Sequence, residues 1–276
     1  MSKAETTNPA LDSNVPMGVF AYWNNGSYFG NTMFIKYDGS WVAFSKEDNG
    51  AEVHTPKYWP VSGAVDFVVY APYATGVTST SASNLQITKD SGDQTDWLYG
   101  KATSPKTDAA VTVTLYHALT QVIVNVKGTS DVTVEKVELL STVQNATGTI
   151  TFGTAPTRVV WEPNQSVTKD DMVLFSGTAQ QEGAQAEGET LTIKATGSCL
   201  VVPTVLSNEA IRITYKLTGS DNSLTHTTVT KSTIVSNQLG TEWLHGTKYI
   251  YNVSITPEEI KFNPDVQEWT DGGTDL

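Results

Sequence analysis

Cysteine, basic residues and long apolar runs are scarce in this sequence, and each shortage excludes something. Its one cysteine, Cys199, rules out an internal disulfide and any Cys-based zinc site. Cys199 stands in the run CLVVP with no His or Asn beside it, the setting of a small buried hydrophobe rather than a nucleophile. Seventeen Lys and Arg face twenty-nine Asp and Glu, a net charge of −12. Phosphate neutralisation needs clustered cations, so nucleic acid is not an expected partner. The balance suits a soluble, surface-exposed protein. No apolar run reaches the length of a membrane helix, and no basic segment followed by an apolar one opens the chain. A sustained 3.6-residue stripe is absent as well.

Catalytic and ligating motifs are equally sparse. The four histidines, His54, His117, His226 and His245, show neither H-x₃-H nor H-E-x-x-H spacing, and no G-x-S-x-G elbow, P-loop or dinucleotide fingerprint occurs. His117 lies in an apolar stretch, which predicts a hydrogen-bonded, half-buried imidazole. Glycoside hydrolysis requires two carboxylates facing each other across a sugar. Asp93 with Asp96, Asp170 with Asp171 and Glu258 with Glu259 are merely neighbours in loops, where solvated acids belong; calcium at Asp93 and Asp96 is the alternative reading. The expectation is therefore a non-enzyme with no catalytic residues, no metal and no cofactor. A glycosidase is carried as a rival that needs its carboxylate pair.

What the sequence does have is strand after short strand. Val15–Trp23 ends in Asn24-Asn25-Gly26, and Met33–Tyr37 and Ser40–Phe44 flank Asp38-Gly39, a dipeptide suited to a two-residue hairpin turn. Val65 opens a further strand whose run Phe67–Tyr70 is apolar on both faces, as a central strand should be. Val111–Val126 reads as one long strand with a bend or bulge at His117–Leu119. Val132–Leu140, Thr149–Phe152, Arg158–Trp161, Met172–Phe175, Leu191–Ala195, Cys199–Val202, Ile211–Leu217 and Thr227–Ile234 continue the pattern. Residues 1–14 are polar and aperiodic, a flexible arm with no strand before Val15. Gly153-Thr-Ala-Pro156 is the best boundary. The prediction is all-β: two consecutive antiparallel β-sandwich domains, at residues 1–155 and 156–276.

Two groups of residues are candidates for function. Trp23, Trp41, Trp59 and Trp97, with Tyr73, are the aromatics that would stack on sugar rings. Packing within a core is the ordinary use of such residues in alternating strands. The second group closes the chain. Tyr249, Tyr251, Val253 and Ile255 alternate with polar residues up to Pro257, Glu258-Glu259 forms a turn, and a shorter alternation runs through Ile260, Phe262, Val266 and Trp269. An apolar strand near a terminus is something another subunit can accept.

Several segments, in order, resemble the fimbrillin-like pilus subunits of Bacteroidetes (type V pili). They are YWPVSGAVDFVVYAP at 58–72, LYHALTQVIVNV at 115–126, CLVVPTVL and IRITYKL within 199–217, and WLHGTKYIYNVSI followed by EIKF and VQEW at the end. The resemblance implies transthyretin-like sandwiches, secretion as a lipoprotein, and a cell-surface fimbrium exported across the outer membrane. It also implies strand donation, in which loss of an N-terminal strand opens a groove that a neighbour's C-terminal strand fills. Ile260, Phe262, Val266 and Trp269 are then the donor anchors. The partners implied are other pilus subunits, identical or paralogous, with host or bacterial surface glycans or proteins as adhesion targets. This chain departs from the family in having no lipid-bearing cysteine before the first strand, so anchoring would act only through an N-terminal lipid signal removed or absent here. The alternative is a monomeric or tip-located carbohydrate-binding β-sandwich.

Overall fold

A computed structural model describes residues 4–6, 15–46, 52–106, 110–128, 132–152, 158–163, 169–177, 192–217, 229–235, 239–255 and 260–268. All regular structure among them is β. The chain runs β1 (Ala4–Thr6), β2 (Met17–Trp23), β3 (Gly26–Tyr37), β4 (Ser40–Lys46), β5 (Glu52–His54), β6 (Ala64–Ala71) and β7 (Asn84–Lys89). It continues through β8 (Leu98–Pro105), β9 (Val111–Val113), β10 (Tyr116–His117), β11 (Thr120–Gly128), β12 (Val132–Thr142), β13 (Ala146–Thr151) and β14 (Arg158–Pro163). The remainder is β15 (Asp170–Ser176), β16 (Thr192–Val201), β17 (Thr204–Val205), β18 (Ala210–Leu217), β19 (Val229–Val235), β20 (Glu242–Trp243), β21 (Thr247–Ile255) and β22 (Ile260–Glu268).

The chain divides into two compact units, but not where its turn chemistry suggests. The first holds the residues up to Ala118 and then Asn145–Asn164; the second holds Leu119–Gln144 and the chain from Gln165 through β22. The expected boundary at Gly153–Pro156 lies outside the described residues, yet the strands on either side of it settle its role. β13 and β14 pair antiparallel from Thr151↔Arg158 to Ala146↔Pro163, so the strands before and after that stretch share one sheet of the first unit. The chain crosses between the units at Ala118/Leu119, at Gln144/Asn145 and at Asn164/Gln165, and the first crossing lies within the run expected as one strand. That run is broken into β9, β10 and β11 at the bend.

In the first unit a seven-stranded sheet has the order β10-β8-β6-β2-β3-β4-β5. β6 pairs with β2 on one side and β8 on the other, the central place its two-faced apolar run predicts. Asp38 and Gly39 take φ of 49° and 73°, the left-handed conformations a tight β3–β4 turn needs. Met17, Val19, Phe34, Trp41, Val69, Leu98, Val111 and Val113 share one core. A β14-β13-β7 sheet and a β1-β9 pair complete the unit. The β1 pairing corrects the expectation of an arm without strand before Val15. Ala4-Glu5-Thr6 is too short to show a period, and it is ordered through its backbone against Val111–Val113 in parallel register.

The second unit is a two-layer sandwich. One sheet runs β16-β11-β21-β22 and the other β15-β12-β18-β19, with a short β17-β20 pair beside them. Val122, Val124 and Val126 of β11 and Tyr249, Tyr251, Val253 and Ile255 of β21 meet Val134, Val137 and Leu139 of β12 and Ile211 and Ile213 of β18 in one buried core. Alternation at period 2 puts these residues on one face of each sheet. The sheets are not purely antiparallel: β11 and β21 pair in parallel from Gln121↔Lys248 to Gly128↔Ile255. More than a hundred residues separate them, so no hairpin constrains their direction.

Candidate functional site

Two features face outward with unfinished packing, one in each unit. In the second unit, β22 is the edge strand of its sheet and pairs only with β21 among the described residues. The register sets Val266 opposite Tyr249, Pro264 opposite Tyr251, Phe262 opposite Val253 and Ile260 opposite Ile255. Directly opposed residues of an antiparallel pair share a face. The β21 members of these pairs are buried in the sandwich core, whereas Val266 is 56% exposed and Pro264 is exposed too. The edge strand is thus held by its backbone, while apolar side chains on its core-side face stay uncovered. Edge strands normally hide such surface.

Of the four expected donor anchors, Val266 is the one whose side chain is described. Ile260 and Phe262 are placed by register alone, and Trp269, like Glu258-Glu259 and His226, lies outside the described residues.

In the first unit, a cavity of about 60 Å³ lies between the sheet and the segment Thr55–Pro60. Its walls are mostly aromatic and aliphatic: Val19, Phe29, Phe34, Trp41, Trp59 and Phe67 among others, with Val111 of β9 also in the lining. Thr55 N–H donates to Ala43 O at 2.9 Å, and Tyr28 Oη donates to Tyr58 O at 2.7 Å, which fixes the segment over the sheet. Lys57 Nζ stands 5.5 Å above the Phe29 ring, and Trp59 meets Phe67 edge-on at 5.9 Å. The Trp59 indole N–H is buried with no hydrogen-bond partner among the described residues. β9 is paired on its ladder by the three residues of β1.

The four candidate stacking tryptophans therefore part company. Trp41 and Trp59 line the same cavity, although Trp41 is only 4% exposed. Trp97 is 6% exposed and lies against Tyr70, with ring centroids 6.2 Å apart. Trp23 is half-buried and donates from Nε1 to Ser62 O at 2.7 Å. The sequence passes over Lys57 and Tyr58 because neither sits in a periodic strand. The run K-Y-W-P, a cation and two aromatics halted by proline, is the signal that marks them.

Several of the described acids and one histidine make specific local contacts. His117 Nδ1 lies 2.8 Å from Asp96 Oδ1 in a 3% exposed setting, and Asp93 Oδ1 accepts from Thr95 N–H and Oγ1. Asp171 bonds Arg212. No group of three or more His, Cys, Asp and Glu side chains suited to a metal occurs among the described residues.

Comparison with known proteins identifies the family and the fold. A protein of Bacteroides uniformis described as fimbrium subunit Fim1C is 24% identical over 257 residues, covering 91% of this chain and 77% of that one. A solved structure from the same species, described as a cell adhesion protein, superposes with a TM-score of 0.64 at 17% identity and covers 98% of this chain and 99% of its own. A fimbrial protein of Bacteroides vulgatus superposes at 0.60 with 16% identity, covering 98% and 99%. At such identities the solved structures speak for the fold. The profile of the fimbrillin-like family matches residues 2–269, nearly the whole length, and the chain belongs to that family.

Proposed function

We propose that this chain is a structural, adhesive subunit of a cell-surface fimbria that assembles by donating β22 to a neighbouring subunit, a second copy or a paralogue. The observation that carries this is the exposure of Val266 and Pro264 on an edge strand whose paired residues are core. A donated strand offers main-chain hydrogen bonds along its length and alternate side chains for pockets. On the receiving side, a groove beside β9 opens when β1 is removed or displaced, and three parallel pairs are little to displace. In this reading both units are transthyretin-like sandwiches, each short of one strand at some stage of assembly. Export across the outer membrane and a lipid-bearing precursor belong to the same reading.

The carbohydrate-binding alternative is less well supported. A sugar stacks on an open ring face, and at 4% and 6% exposure Trp41 and Trp97 present none.

Removing residues 258–276 is the direct test. The truncated chain is expected to stay monomeric by size exclusion and to keep its β signature in circular dichroism, while the full chain forms filaments visible by electron microscopy under conditions that free its groove. Filaments from the truncated chain would refute the donor assignment. Val266→Asp provides the milder version: it should weaken assembly while leaving the monomer folded, because the side chain is already in water.

A further inference from the structure

We infer that the cavity beneath Thr55–Pro60 is a socket for an apolar side chain of β22 from a second copy of this chain. The Trp59 indole would donate to that strand's backbone, and Lys57 would face its acidic residues. The inference rests on the strand-donation reading and names the place where the incoming strand is gripped.

Three observations converge. The first is chemical: Trp59 N–H is a buried donor with no acceptor among the described residues, which costs free energy unless something outside the unit supplies one. A strand carries a carbonyl at every residue, so it can place an acceptor wherever it docks. The second is shape. The walls are hydrocarbon and ring, with Lys57, His54 and the tyrosines Tyr28 and Tyr58 as the polar fraction. A sugar needs several converging polar groups and finds few there, whereas an aliphatic or aromatic side chain needs none. The third is charge and continuity. β22 reads IKFNPDVQE, with Asp265 and Glu268 following its first anchors, and Lys57 is an exposed cation at the cavity. Val111, which lines the cavity, is the first residue of β9 and pairs with β1. A strand taking the place of β1 along β9 would therefore run past the cavity, and every second side chain would face one side.

The full-length chain, carrying ¹⁵N in its tryptophan indoles, is titrated with a synthetic peptide of residues 258–269 under the conditions that displace β1 and free the β9 edge. The Trp59 resonance is identified by its loss in Trp59→Phe. The expected result is a saturable shift of the Trp59 indole. Trp161 and Trp243, whose Nε1 atoms already donate to Ala118 O at 2.9 Å and Tyr251 Oη at 2.8 Å, should not move. Trp59→Phe keeps a ring in the wall and loses the donor, and should bind the peptide about three- to tenfold more weakly. Lys57→Glu, an exposed substitution that spares the fold, should weaken binding and reverse its salt dependence.

Failure to bind, binding that leaves Trp59 unmoved, or equal affinity in both variants would overturn the socket. Assembly assays separate that failure from failure of the broader reading. If chains lacking residues 258–276 cannot assemble while Trp59→Phe and Lys57→Glu chains assemble normally, donation stands and the socket falls. If the truncated chain assembles, donation itself falls. A mixture of the truncated chain with a chain whose socket is filled by Ala43→Phe should stop at dimers, since each supplies only one half of a junction. Longer polymers from the mixture would overturn the socket.

Discussion

Glu138→Gln should destabilise the second unit by about 1–2 kcal/mol at neutral pH, and the penalty should vanish in acid. Glu138 lies on β12 directly opposite Arg212 of β18. Its carboxylate accepts from Arg212 Nε at 2.7 Å and Nη2 at 2.9 Å, and from Lys136 Nζ at 2.6 Å. The Arg212 hydrogen bonds, helped by Lys136, hold the carboxyl at about 2 against an ordinary 4.5, although burial opposes them. Linkage over that interval is worth ~3 kcal/mol at most. The Arg212 and Lys136 side chains are 33% and 39% exposed, and solvent screening trims the figure to about 1–2 kcal/mol. Because the folded value is the depressed one, the contribution is complete above about pH 4.5 and is lost as pH falls from there towards 2. Urea unfolding of the parent and the Gln variant, followed by circular dichroism at pH 7, 4.5, 3 and 2, reads the gap directly. A gap of the same size at pH 2 and pH 7 would refute the electrostatic account and leave lost packing as its cause.

Gly18→Ala should cost about 1–3 kcal/mol or prevent folding of the first unit, because the added Cβ would sit 2.1 Å from the Tyr70 ring. That ring has little freedom to yield, since its hydroxyl lies 2.6 Å from Asn31 Oδ1 and 2.7 Å from Ala74 O; a thermal melt measures the loss. Tyr251 accepts from Trp243 Nε1 and donates to Leu239 O at 2.7 Å, and burial pushes its hydroxyl up to about 12 from 10. As pH rises from about 10 to 12 the unfolded chain ionises first, so stability should fall across that window, and Tyr251→Phe should flatten the fall while costing about 1 kcal/mol at pH 7. Denaturation midpoints at pH 8, 10 and 11 check both claims.

Local chemistry was legible in the sequence, and long-range partnership was not. The Asp38-Gly39 turn, the two-faced β6 and the alternation of β21 follow from residue size, φ preference and period 2, which act within a few residues. Pairing direction is set elsewhere. Nothing in Tyr249–Ile255 specifies that its neighbour is β11 in parallel, because the face pattern is the same for either direction. Grouping of strands into units is hidden for a related reason: glycine and proline end strands wherever they fall, and only pairings such as Thr151↔Arg158 put β13 and β14 in one sheet. β1 escaped because three residues with one small apolar side chain carry no pattern, and backbone hydrogen bonds leave no mark on composition.

The candidate site was half legible for the same reason, and the missing half bears on how exchange can be favourable at all. The pattern of β22 announces an apolar strand, but whether its neighbours cover it is a property of the assembled sandwich. At home β22 already satisfies nine residues of ladder against β21. Moving it into another copy gains nothing from those hydrogen bonds, since every bond made there is matched by one broken here. If the proposed exchange occurs, its net drive comes from what home docking leaves undone: the exposed Val266 and Pro264 faces, and a cavity whose aromatic walls and Trp59 N–H have no complement among the described residues. Covering a few such side chains contributes about 1.5–3 kcal/mol each before the cost of ordering. That margin is small, which on the proposed strand donation would let the chain stay a folded monomer until a groove is opened. A strand fully buried at home would have no reason to leave, and one with no home would aggregate before it reached a partner.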